Sequence, residues 1–177
     1  MAGTCSTGTG LLFLTTSIII LCAVPAILTG EQQNSSQLYR QAAEMAQSGN
    51  RKGAIPLFKK VIQLSPYYTK GHYGLGKALL YDKSTIPEGI RHLKKAVSLD
   101  RRNSAAFFYL GMGYMLSNNY MKSIESFQKA YQLDPNITEA LYNIGAVFDI
   151  MENKKQSARY FRQYLEKQRR EDSDILF

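Results

Sequence analysis

Small residues recur along this chain at a fixed interval: Ala42, Gly76, Gly111 and Gly145. A second series, Ala54, Gly89, Ser123 and Ser157, keeps step with the first. Four residues after each of these comes a large apolar one: Phe58, Leu93, Phe127 and Phe161. Leu38, His72, Phe107 and Leu141 precede the first series, and Met45, Leu79, Tyr114 and Phe148 follow it. The interval is 34 residues, with one extra residue in the second unit near Lys83-Ser84-Thr85. A period of this length marks a supersecondary unit that has no cover for its own apolar face and obtains it from its neighbours.

The unit is plainest between Ser104 and Ile137. Phe107, Leu110, Gly111 and Tyr114 fall three and four apart, which is one face of a helix. Ser117-Asn118-Asn119 breaks it, and Ser123, Phe127, Ala130 and Leu133 repeat the spacing up to Asp134-Pro135-Asn136. Gly49-Asn50 reads as the turn of the first unit, with Pro66 closing its second helix. In the second unit Thr85 and Glu88 have capping-box spacing, and Pro87 falls in the first helical turn.

These four units in register resemble the tetratricopeptide repeat family over residues 35–171, with repeats at about 35–68, 69–103, 104–137 and 138–171. The resemblance implies an all-α chain, a right-handed superhelical solenoid of four helix-turn-helix repeats. An N-terminal apolar helix is expected to precede it.

Residues 1–30 carry no charged side chain, so the net charge of +8 belongs to the remainder. Leu11 to Leu28 forms an uncharged, mostly apolar run at the lower limit for a membrane-spanning helix. As a cleaved secretory signal it would be cut after Val24-Pro25-Ala26, although no basic residue precedes it. As an uncleaved single-pass anchor, Arg40, Arg51 and Lys52 behind it place the repeats in the cytoplasm. The expected location is therefore a membrane, with export (periplasmic or secreted) as the alternative. Residues 31–37 read as a polar linker and 172–177 as a C-terminal tail. Asn34 and Asn136 begin glycosylation acceptor patterns, which matter only in a secretory lumen. Both cysteines, Cys5 and Cys22, precede the repeats, so no disulfide framework or thiolate metal site is expected in the folded part.

No phosphate-cradling loop, metal-ligand cluster or nucleophile elbow is present. His72 holds a packing position and reads as core. His92 reads as outward-facing, forming a surface pair with Glu88 one turn before it. The chain is accordingly expected to be no enzyme, with no cofactor and no small-molecule substrate.

In tetratricopeptide arrays the first helices line a concave groove that takes partner peptides. By that resemblance the groove here receives Tyr39, Arg40, Ala43, Tyr73 and Lys77 from the first two repeats. Phe108, Tyr109, Met112, Tyr142, Asn143 and Ala146 follow from the last two. Large rings bury much area at little entropic cost and are frequent binding anchors. The two-carboxylate clamp of co-chaperone members is not matched. In one frame its places hold Tyr39, Ala43, Gly74, Ala105 and Tyr109; in the other, Tyr73, Lys77, Tyr109, Glu139 and Asn143.

A basic stripe runs along the second helices: Lys59, Lys60, Lys94, Lys95, Lys129 and Arg162. The reading that follows is an adaptor or scaffold at a membrane, burying a partner peptide or helix in an aromatic groove. Binding of anionic lipid, or less readily nucleic acid, through the stripe is the alternative. The last helix exposes Tyr160, Phe161, Tyr164 and Leu165. Ile175-Leu176-Phe177 folds back onto them, or that end meets a partner or a second copy.

Overall fold

The computed structural model describes residues 34–174, with side chains as far as residue 170. The expectations for the apolar segment 1–30, for linker residues 31–33 and for Ile175-Leu176-Phe177 lie outside the described residues.

Eight helices and no strand occur among the described residues: α1 (34–47), α2 (Arg51–Leu64), α3 (Thr69–Leu79), α4 (Ile86–Leu99), α5 (Ser104–Leu116), α6 (Tyr120–Leu133), α7 (Glu139–Ile150) and α8 (Lys154–Asp174). They pair as the 34-residue period predicts. From α2 onward each helix packs on the next in sequence, with a further contact of α3 on α5, so the described helices form a sequential stack.

Local chemistry sets the breaks. Gly49 turns the chain after α1 at φ +94°, a left-handed conformation that glycine adopts without steric cost. Asn50 then caps α2, its side chain accepting from the Gly53 N–H at 2.9 Å. Asn103 caps α5 in the same way through the Ala106 N–H. Asp100 and Asp134 hold the same repeat position. Each accepts from the backbone N–H two residues on, at 2.9 and 3.0 Å, which closes the repeat in an Asx turn.

The expected capping box is not formed. Thr85 Oγ1 donates backwards instead, to the Leu79 carbonyl at 2.6 Å and the Asp82 carbonyl at 3.0 Å. The extra residue of the second unit lengthens this connection, and the hydroxyl satisfies the end of α3 rather than the start of α4. Glu88 is left to pair with Lys59 Nζ at 3.2 Å.

Within a pair, the small-residue series allows backbone contact. A Cβ on Gly76 would lie 3.0 Å from the Gly89 carbonyl oxygen, and one on Gly89 would lie 3.0 Å from that of Gly76. In the third pair Ser123 Oγ donates to the Gly111 carbonyl at 2.9 Å, with Phe127 sealed beneath. Between pairs, each first helix buries three positions on the preceding second helix. These are Gly71, Leu75 and Ala78, then Ala106, Leu110 and Gly113, then Ala140, Ile144 and Val147. Below them lie Val61-Ile62, Ala96-Val97 and Ala130-Tyr131, the first of each fully buried and the second half-buried.

Candidate binding groove

Of the residues assigned to the groove, Tyr39, Ala43, Tyr73 and Lys77 come together around one cavity between α1 and α3. A cavity of about 270 Å³ opens there, floored by Phe58, Gly74 and Ala78 and walled by Tyr39, Tyr73 and Tyr81. Arg51 and Lys77 also line it, and among the described residues no carboxylate does. Each cation is held by a ring. The Arg51 guanidinium lies 4.1 Å from the centre of the Tyr81 ring, and Lys77 Nζ lies 4.5 Å from that of Tyr109.

Rings continue along the groove. Tyr39 packs on Phe58 at 5.8 Å, Tyr73 edge-on to Tyr109 at 5.7 Å, and Tyr109 edge-on to Phe108 at 5.5 Å. Burial pushes the Tyr73 phenol well above its ordinary range, and the neighbouring Tyr109, Tyr39 and Tyr81 hydroxyls raise it further. Tyr73 is therefore a neutral hydrogen-bonding group at every physiological pH. Phe108 and Met112 are half-buried and pack on the core between α5, α6 and α7, so they form the floor rather than free anchors. Tyr142 stands half exposed, at 50%, over Phe161 and Tyr164. Arg40 is exposed and Asn143 half-buried.

Sequence reasoning missed Arg51, Tyr81 and Gln47, which also line the cavity. They come from the first turn of α2, from just past α3 and from the last residue of α1, off the repeated register. No periodic signal marks them.

The six stripe residues Lys59, Lys60, Lys94, Lys95, Lys129 and Arg162 are all exposed on the second helices. Several have local partners: Lys59 pairs with Glu88, Lys129 donates to Gln132 at 3.1 Å, and Lys95 sits 5.3 Å from the Tyr67 ring.

His72 is core, as expected, but the outward placement of His92 is wrong. Both are 8% exposed, and their Nδ1 atoms meet at 3.1 Å between α3 and α4. His72 Nε2 donates to the Pro66 carbonyl at 2.9 Å, which leaves its Nδ1 bare to accept from His92 Nδ1–H. Desolvation holds the His92 imidazole down to about 4, with Arg91 and His72 adding to the shift and Glu88 opposing it. Position 92 faces α3 within the helix pair rather than solvent. Glu88 in fact caps the edge of the buried pair, 3.9 Å from His92 Nε2.

Residues 104–137 match the family model of the tetratricopeptide repeat. This helix pair is similar to a tetratricopeptide repeat. Much of the stack superimposes on solved structures. MamA from Desulfovibrio magneticus RS-1 is 27% identical, with 78% of this chain and 77% of that one covered and a TM-score of 0.73. PilF from Pseudomonas aeruginosa is 20% identical, covering 77% and 62% at a TM-score of 0.69. The first tetratricopeptide domain of Spaghetti (RPAP3), bound to the HSP90 peptide SRMEEVD, is 17% identical, covering 68% and 94% at a TM-score of 0.64. The last two share the fold alone. No curated protein sequence matches the chain.

Proposed function

We propose that this tetratricopeptide protein is an adaptor that holds a partner peptide against α1, α3, α5 and α7. The observation that carries this reading is the cavity between α1 and α3, walled by three tyrosines and two cations, with no carboxylate among the described residues that line it. Such a lining suits an apolar side chain flanked by an acidic group. The rings supply buried area, while Arg51 and Lys77 face the charge without an internal competitor. Arg40, Lys77 and Asn143 set the register of the peptide. The Spaghetti domain, which shares the fold, is bound to the HSP90 peptide SRMEEVD, and this supports a peptide as the ligand. The apolar run Leu11 to Leu28 holds the adaptor at a membrane, so the complex assembles there.

The test is photo-crosslinking from an unnatural amino acid at position 142 in cells, followed by identification of the captured segment. Tyr73→Ala and Lys77→Glu should each reduce capture at least tenfold with the helical signal retained. Capture that survives both would move the partner off the groove. Reversing Lys59, Lys60, Lys94 and Lys95 to Glu should leave capture intact, whereas an electrostatic binder of anionic lipid would lose vesicle flotation with that variant. N-terminal sequencing after fractionation tests the membrane assignment. An intact start in the membrane fraction supports an anchor, and a start near Ile27 in the soluble fraction supports an exported protein.

A further inference from the structure

The basic stripe is uneven along the solenoid, and the peptide groove makes no use of it. Residues 51–103 hold twelve Lys and Arg against three Asp and Glu, whereas residues 104–174 hold nine of each. Ahead of residue 51 there are one and two, so the net charge of +8 originates in α2, α3, α4 and the turns around them. The three acids of that stretch are engaged locally. Asp82 accepts from the Ser84 N–H and hydroxyl, Asp100 accepts from the Arg102 N–H, and Glu88 pairs with Lys59. Arg51 and Lys77 turn into the groove cavity. Lys60 of α2 and Arg91, Lys94 and Lys95 of α4 are exposed instead. Arg91, Lys94 and Lys95 line an open depression with Pro87, Ile90 and Ser98, and among the described residues no carboxylate lines it. Lys95 Nζ lies 5.3 Å from the ring centre of Tyr67, which is 77% exposed.

We propose that this surface, Tyr67 with Lys60, Arg91, Lys94 and Lys95, rests on the headgroups of an anionic lipid bilayer. Charge complementarity sets the sign of the partner, and three observations favour a bilayer. A track for single-stranded nucleic acid interleaves cations with successive stacking rings. Here one exposed ring, Tyr67, borders the cations, while the exposed Tyr81 and Tyr142 stand with the groove rings. A tyrosine beside lysines is also the composition of a bilayer–water boundary, where the ring sits at headgroup level and the cations meet anionic lipid. Finally, the fold begins at the same edge. Ser35 Oγ lies 2.7 Å from Ser65 Oγ, two residues before Tyr67, so the segment that follows the apolar run Leu11 to Leu28 joins the repeats beside this surface. In its choice of a bilayer the proposal rests on the membrane assignment of that run. Each cation at an anionic leaflet is worth roughly fivefold in affinity, so the four together give on the order of 500-fold. The acidic side chains of α6 and α8 cancel that attraction, which confines the contact to the first half of the stack.

The chain has no tryptophan, so Tyr67→Trp supplies a single reporter at the proposed contact. The full-length variant is reconstituted from detergent with vesicles of phosphatidylcholine alone, or of phosphatidylcholine with about one-third phosphatidylserine. Its emission should move to shorter wavelength with the anionic vesicles only, and return at about 0.5 M salt. Adding Lys60→Glu, Lys94→Glu and Lys95→Glu should abolish the shift with unchanged helical signal. Adding Lys129→Glu, Lys155→Glu and Arg162→Glu instead, the same change in net charge placed on α6 and α8, should leave the shift in place. An emission unchanged by anionic lipid, an equal shift with both kinds of vesicle, or equal loss with both triple variants would overturn the proposal. So would a shift with a single-stranded oligonucleotide at a lower phosphate concentration than with vesicles, which would assign the surface to nucleic acid. Flotation with the neutral vesicles reports on the apolar run separately, so failure of the membrane assignment and failure of this contact are read apart.

Discussion

A Cβ is the smallest addition a side chain can make, and at Gly76 it already meets backbone, the Gly89 carbonyl oxygen at 3.0 Å and the Leu93 nitrogen at 3.1 Å, as well as the Leu93 side chain at 2.7 Å. Helix propensity alone favours Gly76→Ala by about 1 kcal/mol. The contact outweighs that gain, because a carbonyl locked in α4 has no rotamer to move to. Gly76→Ala should therefore lower stability by about 1–2 kcal/mol, read as a lower urea midpoint with unchanged m-value. At Gly49 there is open space around a Cβ, and the cost comes from φ +94° instead. The groove tyrosines divide on the same criterion. Tyr109 is half-buried against the Leu80, Ile86, Leu93 and Leu110 cluster, so Tyr109→Ala should cost about 2–3 kcal/mol of stability as well as any binding. Tyr142 is half exposed over Phe161, so Tyr142→Ala should cost under about 1 kcal/mol and report binding cleanly. Thermal melts of the two variants side by side check both statements.

Helix pairs are the elements whose stability can be tuned, and the α3–α4 pair carries a titratable joint. His92 Nε2 faces the Arg91 guanidinium at 3.5 Å and Glu88 at 3.9 Å, with His72 on α3 and Lys59 on α2 completing its surroundings. Unfolded, this imidazole takes a proton near pH 6.5; folded, it does so only near 4. The unfolded state therefore binds more protons between those values. The contribution of His92 is complete above pH 6.5 and is lost as pH falls towards 4, by up to about 3 kcal/mol. His92→Gln should lower stability at pH 7.5 and weaken its fall between pH 6.5 and 4.5, measured as the difference in urea midpoint from wild type. An equal slope in both proteins would show that the pair does not couple to folding.

At the scale of the molecule, the eight helices and their sequential stacking were legible in the sequence. The period of 34 left only one way to cover each apolar face. The breaks were legible too, at Gly49-Asn50, Ser117-Asn118-Asn119 and Asp134-Pro135-Asn136, because turn chemistry is local. The groove rings were placed by register, yet Arg51, Tyr81 and Gln47 were not, since helix ends leave the repeat. Thr85 and His92 were misread for a related reason. A hydroxyl beside a helix start and an imidazole one turn from a carboxylate have more than one geometry open to them. Sequence by itself determined what repeats: helix length, spacing and the small residues that let backbones touch, all set by interactions within a few residues or one repeat away. Tertiary structure alone decided what happens once. Two histidines twenty residues apart were brought to 3.1 Å, and Arg51, Tyr81 and Gln47 were brought to one cavity with Tyr39 and Tyr73. Each of these depends on which surfaces meet in space, and no periodicity carries that information.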